Sequence, residues 1–320
     1  MTNNDVSKRH IEREIGMEIQ KTVQAFQRLK GQETKIQPAG IDTPHTSEAE
    51  PPCHVMGLAG AKGGVGTTTV ALNVAMTLVQ GGHSVIYVEL SPHVGTAAWL
   101  LNMTNNSPLN HASATLKDMN EAVVNQLLMQ HSTGLQVLCV SPWDQEVGAQ
   151  VSTELLTGLF RELKGHADYL VLDFPLEPSF PSVCFLSQCQ ILDLVMESDA
   201  IGMNLAKSQL AFIRSHCETP VFVTLVNRSG IPLADGLQGV QEEIGYEIPV
   251  VIPAASVLCY TAGIKKLPIV CFNPESVLAM QFAQLSEQLL GYFSEDGSEE
   301  NRDRRGRDRR KGNRRDRGAW

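Results

Sequence analysis

Short apolar runs without a regular polar alternation recur along residues 53–293. They predict strands at 54–59, 84–90, 135–140, 169–174, 191–196, 221–226 and 250–252. Helical spacing of apolar residues separates most of these runs, as at 68–80, 205–215 and 276–290. Strands that are apolar on both sides and alternate with helices are typical of a parallel sheet buried on both faces. The pattern therefore predicts an α/β domain built on a doubly wound, mostly parallel sheet.

The segments on either side of this domain have a different composition. Residues 1–30 predict an amphipathic helical arm, whose stripe comprises Ile11, Ile15, Ile19, Thr22, Phe26 and Leu29. Such a stripe suits docking on a partner, packing back on the domain, or contact with a membrane surface. Residues 31–52 are polar and rich in Pro, Thr and Glu, and predict a flexible linker. Residues 294–320 are highly charged, with almost nothing to bury, and predict a disordered tail.

The charge of the chain is unevenly distributed. The whole sequence carries a formal charge of -9, yet ten Arg and Lys and only three Asp lie within residues 302–317. Three interpretations of this basic tail remain open. These are a disordered, solvent-exposed tail, a contact for an acidic protein or an anionic lipid surface, and a binding segment for nucleic acid.

Membrane-spanning and exported classes of protein are disfavoured. No stretch approaches the roughly 18 consecutive apolar residues that a spanning helix needs. The N-terminus has no apolar signal region, and the seven cysteines include no CxxC pair. We therefore expect a cytoplasmic protein with reduced thiols and no transmembrane segment, which partners could recruit to the inner membrane face or a cell pole.

One segment carries candidate chemistry. The first predicted strand leads into the sequence GAKGGVGTTT at 60–69, and a helical stretch follows at once. Gly63, Gly64 and Gly66 allow a tight turn with inward-facing N–H groups, and the helix N-terminus adds positive potential. The hydroxyl of Thr68 is placed to ligate Mg²⁺, as the Ser or Thr of a P-loop does. The segment predicts a phosphate-binding loop, the alternative being a glycine-rich turn without a ligand.

Residues 62–69 resemble the deviant Walker A motif KGGxGK[ST] of the MinD/ParA-type P-loop ATPases. Lys62 matches the signature lysine, and the resemblance implies that it reaches the phosphates of a partner subunit in a homodimer. The resemblance also implies that the loop binds ATP or ADP through Gly63, Gly64, Val65, Gly66, Thr67, Thr68 and Thr69. It extends over residues 54–293 and makes the expected fold P-loop NTPase-like.

Two other segments are similar to the same family. The strand that contains Asp173 resembles a Walker B strand, which implies that Asp173 and Thr68 hold Mg²⁺. The alternative for Asp173 is a strand-end cap. Asn227 resembles the residue that contacts adenine, and the alternative here is an ordinary turn after a strand.

Two positions depart from the family pattern. Thr67 stands where the P-loop lysine contacts the β- and γ-phosphates, and losing such a charge costs roughly a hundredfold or more in rate. Glu89 and Ser91 stand where the family usually reads D-x-D. A serine cannot orient the attacking water as the second aspartate does. The sequence therefore predicts very slow or absent hydrolysis of ATP.

This combination resembles the CpaE/TadZ branch of the family, which belongs to pilus assembly systems. The resemblance implies a nucleotide-binding accessory or localisation protein, with motor or assembly proteins of a pilus or secretion system as partners. Two alternatives remain open. One is an active ParA/MinD-type positioning ATPase, and the other is a pseudo-ATPase adaptor that could bind nucleic acid through 302–317.

Overall fold

A computed structural model describes most of the predicted domain. It covers residues 53–90, 96–103, 119–140, 143–144, 149–150, 153–233 and 236–293. The predicted helical arm at 1–30, the linker at 31–52 and the tail at 294–320 lie outside these residues, as does Ser91. The anionic partners considered for 302–317 therefore stay a prediction.

The described residues form strands and helices in near-regular alternation. The strands are β1 (His54–Gly60), β2 (Val85–Leu90), β3 (Met129–Gln130), β4 (Gln136–Val140), β5 (Trp143–Asp144), β6 (Ala149–Gln150), β7 (Tyr169–Asp173), β8 (Ile191–Met196), β9 (Val221–Val226) and β10 (Val250–Ile252). The helices are α1 (Thr67–Gln80), α2 (Thr96–Leu100), α3 (Glu121–Leu127), α4 (Thr153–Leu163), α5 (Phe180–Gln188), α6 (Ala200–His216), α7 (Gly236–Ile244), α8 (Ser256–Lys265), α9 (Ile269–Phe272) and α10 (Val277–Phe293).

Eight strands form one sheet in the order β10-β9-β8-β1-β7-β2-β4-β3. All neighbouring pairs are parallel except β3 and β4. The predicted doubly wound, mostly parallel sheet is thus confirmed. Because β1 lies between β7 and β8, the loop after β1 meets the carboxyl ends of both neighbours, where ligands bind in open α/β sheets.

Both faces of the sheet are covered, as the continuous apolar strands predicted. One core joins the sheet to α1, α2, α9 and α10, and the other joins it to α3, α4, α5, α6 and α7. The predicted helix at 205–215 begins earlier, at Ala200, because the Asp199 carboxylate accepts hydrogen bonds from the N–H groups of Ile201 and Gly202.

The carboxyl group of Asp193, on β8, lies on the face of the sheet that α1, α2, α9 and α10 cover. Asp193 is fully buried, and its Oδ1 accepts a hydrogen bond of 2.9 Å from Thr224 Oγ1 on β9. Its Oδ2 has no hydrogen-bond partner among the described residues. Burial raises the pKa of Asp193 from 3.8 to about 7.

This buried carboxyl makes stability depend on pH. Because the pKa is higher in the folded state, its stabilising effect is complete below about pH 4 and is lost as the pH rises towards 7. In the unaltered protein we expect the free energy of unfolding to fall by up to about 4 kcal/mol over this range. In Asp193→Asn this fall should be absent. Urea denaturation at pH 4.5 and pH 8 measures the free energy of unfolding of both proteins. An equal change with pH in the two proteins would contradict the prediction.

Candidate nucleotide-binding site

The loop between β1 and α1 adopts a backbone that only glycine accepts readily. Gly64 has φ of +75° and Gly66 has φ of +104°, and Gly66 is also the N-cap residue of α1. A Cβ atom placed on Gly63, Gly64 or Gly66 would meet no other atom within 4 Å. The outer side of the loop is therefore open. The first turn of α1 contains no acidic residue of its own, and helix N-termini of this kind favour anions.

Other residues hold the loop against the sheet. Val65 is fully buried in the core, and the N–H of Ala61 donates to the Val195 carbonyl on β8 at 2.9 Å. A Cβ atom on Gly60 would lie 2.5 Å from Thr67 Oγ1. Position 60 therefore has to be glycine while the Thr67 hydroxyl lies against the end of β1.

The structure brings the two predicted metal ligands together. Thr68 Oγ1 donates a hydrogen bond of 2.6 Å to Asp173 Oδ2, and Tyr87 Oη donates one of 2.7 Å to the same oxygen. Burial raises the pKa of Asp173, and the hydrogen bonds from Thr68 and Tyr87 act in the opposite direction. A hydroxyl and a carboxylate side by side are the oxygen donors that Mg²⁺ prefers.

Tyr87 is a site residue that the sequence analysis missed. It is fully buried on β2, and burial followed by the Asp173 charge raises its pKa well above the ordinary value. Its hydroxyl fixes one oxygen of Asp173 in place. The available signal was a tyrosine within a largely aliphatic strand, since a buried hydroxyl needs a polar partner.

Glu89, at the first position of the usual D-x-D pair, points towards the start of α2. Its carboxylate accepts hydrogen bonds of 3.1 Å from the N–H groups of Thr96 and Ala97. In the sheet it lies opposite Asp173. Burial and then the Asp173 charge raise the pKa of Glu89 to about 7. Glu89 therefore ties β2, the strand beside Asp173, to the start of α2.

The signature lysine pairs with carboxylates of its own chain. Lys62 Nζ lies 2.6 Å from Glu197 Oε2 and 2.9 Å from Asp199 Oδ2. These two acids follow β8, which is the neighbour of β1, so the contact spans 137 residues in sequence to Asp199. The hydrogen bond with Glu197, followed by that with Asp199, raises the pKa of Lys62. The charge of Lys62 is thus neutralised locally in the single chain.

Arg228 completes this group of charges, and it too was missed by the sequence analysis. Its Nε lies 2.5 Å from Glu197 Oε1, and its Nη1 donates a hydrogen bond of 2.7 Å to the Gly64 carbonyl. Glu197 therefore bridges two cations beside the glycine loop. We call Lys62, Glu197, Asp199 and Arg228 the loop charge cluster.

Asn227 lies at the carboxyl edge of the sheet, two strands away from β1. Its side-chain amide donates to the Ile231 carbonyl at 3.0 Å and accepts from Ser229 Oγ at 3.1 Å. Its backbone N–H donates to the Ile252 carbonyl at 2.8 Å. These bonds shape the turn after β9, and the adenine contact inferred for Asn227 stays a prediction.

The family profile described as "AAA domain" matches residues 53–264, which is more than half of the chain. The chain therefore belongs to the AAA domain family. A curated relative, an uncharacterized ATP-binding protein of Methanocaldococcus jannaschii, is 23% identical over 238 residues, covering 74% of this chain and 88% of the relative.

Solved structures resemble the fold over a similar span. A ParA family ATPase from Chlorobium tepidum superposes with a TM-score of 0.66 at 19% identity, covering 75% of this chain and 99% of that one. The septum site-determining protein MinD from Pyrococcus horikoshii, solved in complex with Mg-ADP, gives 0.61 at 18% identity and covers 74% and 96%. The fold of this chain is that of the MinD/ParA-type P-loop ATPases.

Within the part of the chain that the structure describes, no helix is both long and apolar enough to cross a membrane.

Proposed function

We propose that this protein is a nucleotide-binding accessory protein of a pilus or secretion assembly, of the CpaE/TadZ type. It binds ATP or ADP with Mg²⁺, hydrolyses ATP very slowly or not at all, and acts in localisation or recruitment. The supporting observation is an open glycine loop with an adjacent Thr68–Asp173 pair but with Thr67 at the lysine position. The binding parts of the site are present, while one cation used for phosphoryl transfer is missing.

The residues fit a nucleotide with Mg²⁺. The free space outside Gly63, Gly64 and Gly66 accommodates phosphate oxygens against backbone N–H groups. Thr68 and Asp173 supply oxygen donors for Mg²⁺. When bound, Mg²⁺ neutralises phosphate charge as a Lewis acid. The chain's own contribution is to position the phosphates and to keep the Asp173 carboxylate oriented through Tyr87.

Slow turnover follows from the charges that remain. Thr67 offers a hydroxyl in place of a charged amine, and the Lys62 amine is paired with two carboxylates. With fewer cations at the phosphates, the negative charge that develops during phosphoryl transfer would be stabilised less than in a site with the P-loop lysine. Bound nucleotide then orders an interface, and the protein acts as a homodimer that assembly partners recruit to the inner membrane face or a cell pole.

A second candidate is an active ParA/MinD-type positioning ATPase. The observation that favours it is the exposure of one of the two Lys62 ion pairs, since the Asp199 side chain is 48% exposed. Exposed ion pairs are weak, so a partner's nucleotide would have to compete mainly with Glu197, whose side chain is 12% exposed, to attract Lys62. In this case Lys62 would restore the charge that is missing at position 67.

Calorimetry with ATP and Mg²⁺, combined with single-turnover hydrolysis on the full chain, tests the proposal. We expect saturable binding with turnover far below that of an active ATPase. Lys62→Ala should leave nucleotide binding nearly unchanged and affect only dimer formation, measured by sedimentation with ATP. An active positioning ATPase would instead lose turnover in this variant.

Other outcomes would contradict the proposal directly. A flat calorimetric trace would favour a pseudo-ATPase adaptor without nucleotide, and rapid hydrolysis by the unaltered protein would favour the positioning ATPase. The cellular role requires that deleting the gene abolishes pilus or secretion assembly in the host. Normal assembly after deletion would overturn it.

A further inference from the structure

A guanidinium group lies directly on the glycine loop. Arg228 follows the end of β9, and its side chain passes the end of β8 to reach the loop that follows β1. Its Nη1 donates to the Gly64 carbonyl at 2.7 Å, a contact between residues 164 apart in sequence. The Glu197 carboxylate holds the other side of the guanidinium through Nε. A cation is thus fixed beside a loop whose own lysine position is occupied by Thr67.

We infer that Arg228 is a phosphate-contacting residue that supplies, from the opposite side of the loop, the positive charge missing at position 67. This inference rests on the proposed nucleotide binding and deepens it. The ligand it predicts is a di- or triphosphate chain, because the contacted Gly64 belongs to the phosphate loop. The base of the nucleotide plays no part in this contact.

The chemistry of the side chain suits this role. A guanidinium has five N–H donors in a planar fork that matches phosphate oxygens. The described contacts use Nε and one N–H of Nη1, and the side chain is 60% exposed. The remaining donors of Arg228 therefore belong to a largely exposed group beside Gly64, where a Cβ atom would meet no other atom within 4 Å.

Glu197 opposes this role. One of its oxygens pairs with Lys62 and the other with Arg228, so a polyphosphate has to compete with the Glu197 carboxylate for Arg228. Neutralising Glu197 should release Arg228 and strengthen phosphate binding. This effect is opposite in sign to that expected if the loop charge cluster only holds the loop in shape.

The purely structural alternative is that Arg228 only anchors Gly64. Arg228→Gln separates the two roles, because glutamine retains an amide donor for a carbonyl but lacks the charge. Arg228→Lys keeps the charge and loses the fork. Lys207→Gln is a matched control, since Lys207 forms a single ion pair of 2.7 Å with Glu243 between α6 and α7.

The test is calorimetric titration of the full chain with inorganic pyrophosphate and with ADP, each with Mg²⁺. We expect Arg228→Gln to weaken the binding of pyrophosphate and of ADP by about tenfold or more. Arg228→Lys should retain most of the affinity for both ligands. Lys207→Gln should change neither affinity. Glu197→Gln should tighten pyrophosphate several-fold, and this gain should be largely lost when Arg228→Gln is added. Thr67→Lys should restore binding to the Arg228→Gln variant.

Equal affinities for the unaltered protein and Arg228→Gln would overturn the inference and leave the proposed function standing. Weaker ADP binding with unchanged pyrophosphate binding would also overturn it, since Arg228 would then contact the nucleoside. Absence of any binding by the unaltered protein would overturn both. If Arg228→Gln does not fold, as judged by thermal unfolding, Glu197→Gln decides alone, and weaker pyrophosphate binding in that variant contradicts the inference.

Discussion

Gly66→Ala weakens ADP binding by about a hundredfold or more, while the domain stays folded. Gly66 has φ of +104°, a conformation that costs an alanine roughly 1–3 kcal/mol. The chain can relieve this strain by turning the local peptide groups, which moves the N–H donors of the phosphate loop. Several charge-assisted hydrogen bonds are then lost together, each worth roughly 1.5–3 kcal/mol. Calorimetry with ADP measures the change.

A matched control is available at the far end of the same helix. Gly82 follows α1 with φ of +88°, and a Cβ atom on it would also meet nothing within 4 Å. Gly82→Ala should cost a similar free energy of unfolding and leave ADP affinity unchanged. If both variants bind ADP as the unaltered protein does, the loop is a glycine-rich turn that does not contact the phosphates of ADP.

Asp173→Asn should weaken the binding of ADP in the presence of Mg²⁺, yet it should not lower the stability of the fold. The variant should lose the tightening of ADP binding by Mg²⁺, by about tenfold or more, because an amide replaces the carboxylate beside Thr68. Its free energy of unfolding at pH 8 should equal or exceed that of the unaltered protein, because burial raises the pKa of Asp173. The amide oxygen can still accept from Thr68 and Tyr87.

Asp193→Asn serves as the control for this experiment. It also neutralises a buried carboxyl group, but on β8 and beneath the core helices. It should stabilise the protein at pH 8 and leave the Mg²⁺ effect on ADP binding intact. If Asp173→Asn also leaves the Mg²⁺ effect intact, Asp173 is a strand-end cap, and the metal assignment fails.

Much of the fold was predictable from local patterns. Strands such as β8 and β9 occur within a residue of the predicted ranges because a strand buried on both faces is apolar throughout. The start of α6 was placed five residues too late, at Leu205, because the polar segment before it does not continue the apolar spacing. An Asp199 cap begins the helix there, and side-chain capping leaves only a weak trace in a hydrophobic pattern.

The candidate site divides in the same way. The glycine loop is contiguous in sequence, so its residues could be assigned together. The partners of Lys62 could not, because Glu197 and Asp199 are ordinary acids after a strand until the order β8-β1-β7 places them beside the loop. Tyr87 reaches Asp173 from β2, and Arg228 reaches Gly64 from the end of β9, so both contacts also depend on the order of the strands.

The sequence by itself determined the layered α/β fold, the position of the glycine loop and the threonine at position 67, because each depends on residues that are neighbours along the chain. Only the tertiary structure decided which charges surround that loop. Arg228 reaches Gly64 across 164 residues, and Glu197 joins it to Lys62. Such contacts are set by the order of strands in the sheet, which short-range sequence patterns do not encode.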